Sequence, residues 1–328
     1  MGILAERPNC SGEGVNYLEN LKVLALAGGV GGAKLALGLS DILDDGNLAI
    51  VVNTGDDEEF YGLHVSPDLD TVMYTLGGIA NPDTGWGISG ETFRSLNRLN
   101  QYGADTWFNL GDLDMATHIR RTDLLSQGNT LSEVTNSMCS SLGITHPIFP
   151  MTDDILRTIV VTEVSDMSFQ EYFVKNRCEP RVISLKFDSP SECSPSPGFV
   201  TALDESDLLV FCPSNPFLSV DPILAVPGVR KKIENFRGSR ISVSPIVGGE
   251  AIKGPAGKIL RELGHEVSCV GVAKRYVGLC DVFIIDSVDV DLASSIEKLG
   301  MRVVVTNTIM NNDQEKRTLA QEILSLDY

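Results

Sequence analysis

The 328-residue chain carries 26 Lys and Arg against 44 Asp and Glu, a formal net charge of −18, with 43% hydrophobic and 6% aromatic residues. That balance fills a globular core and excludes a disordered chain, and so acidic a surface repels nucleic acid and anionic lipid. The seven cysteines stand singly, with no C-x-x-C pair, which argues against a disulfide framework or a zinc site and fits a reducing cytoplasm.

Residues 1–20 lack an apolar h-region and read as a flexible leader rather than a signal peptide. No stretch approaches eighteen apolar residues, so no membrane span is expected. Leu21–Ala27 reads as a buried parallel strand that turns into Gly28-Gly29-Val30-Gly31-Gly32 and a helical pattern from Lys34 to Leu43. Leu48–Val52 is the next strand and completes a βαβ unit. Glycines without β-carbons let the backbone approach an anion while the following helix points its N–H groups at it. The turn matches neither the P-loop pattern nor G-x-G-x-x-G, so a Walker ATPase and a dinucleotide dehydrogenase are both weakly supported.

Asn53-Thr54-Gly55-Asp56-Asp57 follows the second strand, at the carboxyl end where open α/β sheets place their sites. Ser66-Pro67-Asp68-Leu69-Asp70-Thr71 then starts a helix, and its two aspartates are spaced to turn their oxygens into one cleft. Hard oxygens of this kind suit Mg²⁺, which takes one or two carboxylates and leaves other positions to water and phosphate oxygens. Helical patterns continue at 69–76, 90–102, 113–127 and 131–142. His118, Arg120 and Arg121 lie on the third of these, and the arginines are candidates to clamp phosphate or carboxylate.

Strand-like patterns follow at 158–162 and 181–185, then a Ser- and Pro-rich loop at 189–198. Strands at 207–212, 241–244, 282–285 and 302–305 alternate with helices at 228–236, 256–263, 292–299 and 314–324, which implies a mostly parallel sheet. Pro213-Ser214-Asn215-Pro216 forms a rigid corner after one strand. Val243-Ser244-Pro245-Ile246-Val247-Gly248-Gly249 leads into Lys253-Gly254-Pro255-Ala256-Gly257-Lys258, whose lysines are placed to neutralise a diphosphate. The fold class is therefore α/β: a doubly wound, mostly parallel, Rossmann-like sheet with a helix-rich insertion and a small added β segment. Residues 21–328 read as one α/β domain, with an insertion at roughly 80–200 capping the site.

The ordered segments AGGVGGAK, VVNTGDD, SPDLDTVMYTLGG, PSNP, SPIVGG and KGPAGK resemble the 2-phospho-L-lactate transferases of coenzyme F-420 biosynthesis. The resemblance implies a homodimer that moves a phospholactyl, or related phosphoenolpyruvyl, unit from a guanosine diphosphate ester to the deazaflavin alcohol Fo, releasing GMP. It implies Asp57, Asp68 and Asp70 as Mg²⁺ ligands, with Asp68, Asp70 and Arg121 carrying the chemistry. Substrate contacts fall to Gly28, Gly29, Gly31, Gly32, Asn53, Thr71 and His118. On the guanosine side they fall to Ser214, Asn215, Ser244, Gly248, Gly254, Gly257 and Lys258. One position departs: the family usually has an arginine where this chain has Leu113, and either its task passes to Arg120 or Arg121 or the acid or acceptor differs.

A non-catalytic sugar-nucleotide-binding regulator is the rival reading, since a related family shares the glycine loop and the PSNP corner. It normally lacks SPDLDT and GPAGK. A nicotinamide dehydrogenase predicts an acidic residue closing the second strand to hold a ribose, and Asn53 stands there instead.

Overall fold

The computed structural model describes residues 20–188 and 190–327, so the leader expected at 1–20 lies almost wholly outside the described residues. β1 (Val23–Ala27) is buried along its whole length and runs into α1 (Gly29–Ser40), which returns the chain to β2 (Leu48–Val52), parallel to β1. A two-stranded hairpin follows, β3 (Glu58–Phe60) and β4 (Leu63–Val65), turning at Tyr61 and Gly62 with positive φ at both. α2 (Pro67–Leu76) starts with Pro67 in its first turn, where a missing N–H costs nothing. α3 (Arg94–Gln101), α4 (Asp112–Ser126) and α5 (Leu131–Ser141) make the helix-rich stretch. α5 opens with a reciprocal capping box between Thr130 and Glu133.

β5 (Ile148–Pro150) rejoins the central sheet beside β2, which the sequence reading of 80–200 as an insertion did not anticipate. β6 (Arg157–Thr162), β7 (Asp166–Ser168) and β8 (Val182–Asp188) form the small added antiparallel sheet that was expected. β9 (Leu208–Phe211) and β10 (Ser239–Val243) return to the core. After the short hairpin β11 (Ile246–Val247) and β12 (Glu250–Ala251), β13 (Val282–Asp286) and β14 (Arg302–Thr306) finish the sheet.

The seven central strands lie in the order β14-β13-β10-β9-β1-β2-β5, every neighbouring pair parallel. From β1 the chain winds outward through β2 to β5, then returns to β9 and winds the other way. The switch point is thus the seam between β1 and β9, where a crevice opens at the carboxyl ends of the strands. Alternate side chains of β1 face opposite layers: Leu24 and Leu26 join Phe211, Phe217 and Phe283, while Val23, Ala25 and Ala27 join Leu35, Leu39 and Ile50. The C-terminal helix Asp313–Leu324 packs on α1 in the second layer. Both faces of the sheet are covered along β1, β2, β9 and β13, which is why these strands read as unbroken apolar runs.

Candidate functional site

At the β1–β9 seam the glycine turn and the PSNP corner interlock. Ser214 Oγ accepts from Gly28 N (3.1 Å) and donates to Gly28 O (3.0 Å), fixing the turn from across the seam. A β-carbon at Gly28 would overlap Ser219 and lie 2.6 Å from Asp68 Oδ2; one at Gly31 would overlap the carbonyl oxygen of Pro213. The glycines are therefore required for the approach of two loops as well as for an anion. Asn215 turns its side-chain oxygen inward to accept from Phe217 N (3.0 Å) and Leu218 N (3.3 Å), which starts a π-helical turn at Pro216–Val220. Such turns recur at functional sites.

Asn53, at the end of β2, organises the acidic residues. Its amide nitrogen lies 3.1 Å from Asp56 Oδ1, 3.0 Å from Asp68 Oδ2 and 3.2 Å from Leu218 O, so two N–H groups are shared among three acceptors. Its oxygen accepts from Gly55 N (2.8 Å). Gln170 Nε2 reaches the other oxygen of Asp56 (3.3 Å), and Ser219 Oγ reaches Asp68 (3.4 Å). Burial, reinforced by each other's charge, holds Asp56 well above the ordinary carboxylate range. Burial also pushes Asp68 up to about 6, against hydrogen bonds from Asn53 and the Gly29 backbone. Asp57 faces elsewhere, accepting from Ser66 Oγ (2.7 Å) with His64 Nε2 at 3.2 Å.

Behind the cluster lies an ion-paired network on α2 and α4. Arg121 reaches both oxygens of Asp70, through Nη1 (3.1 Å) and Nη2, and both side chains are buried. Burial alone would pull the guanidinium down, but the Asp70 carboxylate outweighs it and holds Arg121 above its ordinary value. Arg121 Nη1 also donates toward His118 Nδ1 (3.2 Å). His118 Nε2 then lies 3.2 Å from Asp114 Oδ1, an ion-pair distance off the line of a hydrogen bond. Asp114 accepts from Tyr74 OH (2.7 Å).

A cavity of about 670 Å³ opens over the cluster. Of the candidates named from the sequence, Gly28, Gly29, Gly31, Thr71, His118, Ser214, Asn215, Gly254, Asp68 and Asp70 line it. Gly32 and Asn53 sit directly beneath, the first against Ser214 Oγ and the second through the contacts above. Several expected residues lie outside the lining. Ser244 is fully buried, bonded to Ile246 N and O in a local turn; Gly248 donates to Asp289 Oδ2 (3.0 Å); and Gly257 is on the helix Ala256–Glu262. Lys258 pairs with Glu262 one helical turn on and donates to Pro180 O (2.9 Å), so its charge is already spent. Arg121 is likewise behind the wall, reaching the cavity through Asp70 and His118. Asp57 is replaced at the wall by Asp56, a one-residue difference set by the turn after Asn53. Leu113 is exposed and outside the lining; its N–H is met by Glu91 Oε1 (2.9 Å), which occupies the N-terminus of α4.

Lys253, which the sequence reading paired with Lys258 as a neutraliser of a diphosphate, faces the cavity. The lining also holds residues left unassigned there: Lys34, and Trp86, Phe108, Phe169 and Phe173, which give it an aromatic wall. Burial and then the charge of Lys253 lower the Lys34 ammonium. Lys34 was visible as the last letter of AGGVGGAK, whereas the aromatics carry no motif and needed the fold.

Among the described residues no three His, Cys, Asp or Glu side chains close around an ion by themselves. Mg²⁺ does not demand such a cage, since one or two carboxylates with substrate phosphates suffice. Asp56 and Asp68 meet that description: they are buried, repel one another, and form no ion pair with a cation among the described residues. Asp70 suits an ion less well because Arg121 already neutralises it.

The profile of the family described as 2-phospho-L-lactate transferase CofD matches residues 23–323. A phosphoenolpyruvate transferase from Streptomyces griseus is 39% identical over 312 residues, covering 93% of this chain and 98% of that protein. A 2-phospho-L-lactate transferase from Methanococcoides burtonii is 36% identical over 304 residues, covering 93% and 99%. Among solved structures, a UPF0052 family member from Bacillus halodurans superposes with a TM-score of 0.61 at 13% identity over 93% of this chain and 99% of that one, a likeness of fold. With the matched profile spanning nearly all of the sheet and every wall of the cavity, the chain belongs to the 2-phospho-L-lactate transferase family of enzymes.

Proposed function

We propose that this chain moves a phospholactyl or phosphoenolpyruvyl group from a guanosine diphosphate ester to the deazaflavin Fo, forming coenzyme F-420-0 or its dehydro form and releasing GMP. The observation that carries this reading is one cavity with three kinds of wall: a glycine turn with two lysines, a pair of buried carboxylates, and aromatic faces. The lysines and turn N–H groups suit a diphosphate, and the aromatic faces suit a tricyclic ring.

The terminal ribityl hydroxyl of Fo attacks the phosphorus that bears the acid. The bond from that phosphorus to the bridging oxygen breaks, and GMP departs with the electron pair. The hydroxyl proton passes to a carboxylate lining the cavity, one of Asp56, Asp68 and Asp70. Bound Mg²⁺, held by Asp56 and Asp68, would neutralise charge on the diphosphate. Lys34 and Lys253 add charge at the phosphate end. Arg121 positions Asp70, which faces the cavity.

Among the described residues no helix is long and apolar enough to cross a membrane. The resemblance further implies a homodimer, which light scattering on the eluting protein would test. The decisive experiment supplies Fo, Mg²⁺ and each guanosine diphosphate ester, then measures GMP and the product mass. Equal amounts of GMP and a phosphodiester of Fo are expected. Tight binding of a sugar nucleotide with no GMP from either donor would replace the transferase reading with the regulator.

A further inference from the structure

The cavity mouth is crossed by a turn with its own internal bonding. Ala80 and Ile88 form an antiparallel bridge, Asn81 N donates to Gly87 O (3.0 Å), Gly85 N to Asn81 O (2.9 Å), and Thr84 Oγ1 to Trp86 O (2.6 Å). Gly78 and Gly90 flank it, each with positive φ and nothing within 4 Å of where a β-carbon would stand. The turn is therefore a small preformed unit whose base, at Ile79, Ala80 and Ile88, packs on the core while its tip is exposed. Trp86 at its tip is 54% exposed yet lines the cavity.

The tip is tied to the opposite wall by Lys253, whose ammonium donates to Thr84 O (2.8 Å). Lys253 also stands near Lys34, close enough for its charge to bear on that group, and Lys34 donates to Met310 O (2.6 Å). Neither lysine has a carboxylate within ion-pair distance among the described residues, in a chain with 44 acids. Each ammonium has three N–H groups, and each shows one committed to a carbonyl. Both ammonium groups line the one cavity, and the N–H groups left over on each can meet an anion of two phosphates. Lys253 can then hold the anion and Thr84 O at once.

We infer that Lys253 is a positioning residue that links the phosphate end to the Ala80–Ile88 turn, so that a bound diphosphate donor firms the turn and completes the wall met by the acceptor. This inference rests on the donor reading given above. Linkage is reciprocal: whatever firms the turn also tightens the phosphate end.

Tryptophan emission tests it. The chain has two tryptophans, so in a Trp107→Phe background Trp86 reports alone. Titration with GDP and Mg²⁺ is expected to shift Trp86 emission with the same midpoint as calorimetric binding. In Lys253→Ala on that background GDP still binds, more weakly, and the emission shift disappears. With donor saturating, Lys253→Ala raises the acceptor KM about tenfold, the worth of one charge-assisted hydrogen bond, and Lys253→Arg recovers most of it. Lys34→Ala raises the donor KM and leaves the acceptor KM unchanged once donor saturates. GDP binding with a silent Trp86, or an unaltered acceptor KM in Lys253→Ala, would overturn the inference while leaving the donor reading standing. Absence of both GDP binding and GMP release would remove the donor reading and the inference with it.

Discussion

Arg121 grips Asp70 through both terminal guanidinium nitrogens with both side chains sealed from solvent, so the pair is a structural unit before it is anything else. Removing one partner strands a buried charge. Arg121→Ala is expected to cost about 3–5 kcal/mol of folding stability, and Asp70→Asn to be destabilising through the same loss. Urea denaturation reads this directly. An Arg121→Ala protein as stable as the parent would show that the pair is hydrated and not a keystone of the α2–α4 wall.

The carboxylates of Asp56 and Asp57 are one residue apart and are predicted to behave differently. Asp56 and Asp68 share the amide of Asn53, whereas Asp57 is held by Ser66 and His64 outside the cavity lining. Asp56→Asn and Asp68→Asn should each raise the Mg²⁺ concentration needed for half-maximal GMP release by roughly tenfold or more, and EDTA should abolish release from the parent enzyme. Asp57→Asn should leave the Mg²⁺ requirement within about twofold while lowering stability. A metal titration in which Asp57→Asn shifts most would restore the assignment that the sequence alone suggested.

What was legible in the sequence and what was not divides along physical lines. β1, β2, β9 and β13 lie between two helical layers, so burial on both faces writes them as apolar runs. β5 is three residues long and contains Pro150, and neither length nor composition marks it as a strand of the central sheet. SPDLD placed Asp68 and Asp70 at the start of a helix correctly, because a proline in the first turn and acids behind it are local signals. Local signals cannot say what approaches from elsewhere. Arg121 lies 51 residues from Asp70, and its capture of that carboxylate depends on α4 packing across α2. The choice between Asp56 and Asp57 fails for the opposite reason, since both sit in one tight turn and only its geometry decides which faces inward.

Lys258 illustrates the same limit and yields a test. On the helix Ala256–Glu262 it meets Glu262 one turn later and reaches Tyr172 OH (3.3 Å) and Pro180 O (2.9 Å) on the side away from the cavity. Lys258→Ala should therefore leave the donor KM within about twofold and cost at most about 1 kcal/mol, as expected of an ion pair that is partly exposed. Lys34→Ala, by contrast, removes a charge that lines the cavity and should raise the donor KM by about tenfold. Steady-state kinetics on the two variants side by side decides between them. A donor KM that responds to Lys258 and ignores Lys34 would put the diphosphate at the other end of the helix.

The glycine turn separates packing from binding. A methyl group at Gly31 would overlap the carbonyl oxygen of Pro213, which is backbone of the corner that Ser214 and Asn215 hold in place. That carbonyl can yield only if the seam between β1 and β9 opens, so Gly31→Ala is expected to cost about 1–3 kcal/mol, the usual toll of overpacking. At Gly28 the obstacle is the side chain of Ser219, with Asp68 Oδ2 at 2.6 Å. Gly28→Ala paired with Ser219→Gly would relieve the first of these and leave the second. The double variant should fold nearly as well as the parent yet lose most of its GMP release, because the new methyl displaces the Asp68 carboxylate from Asn53. Thermal melts together with activity read both halves. A Gly31→Ala protein that melts with the parent, or a double variant that keeps full activity, would mean that the two loops lie farther apart than the hydrogen bonds of Ser214 allow.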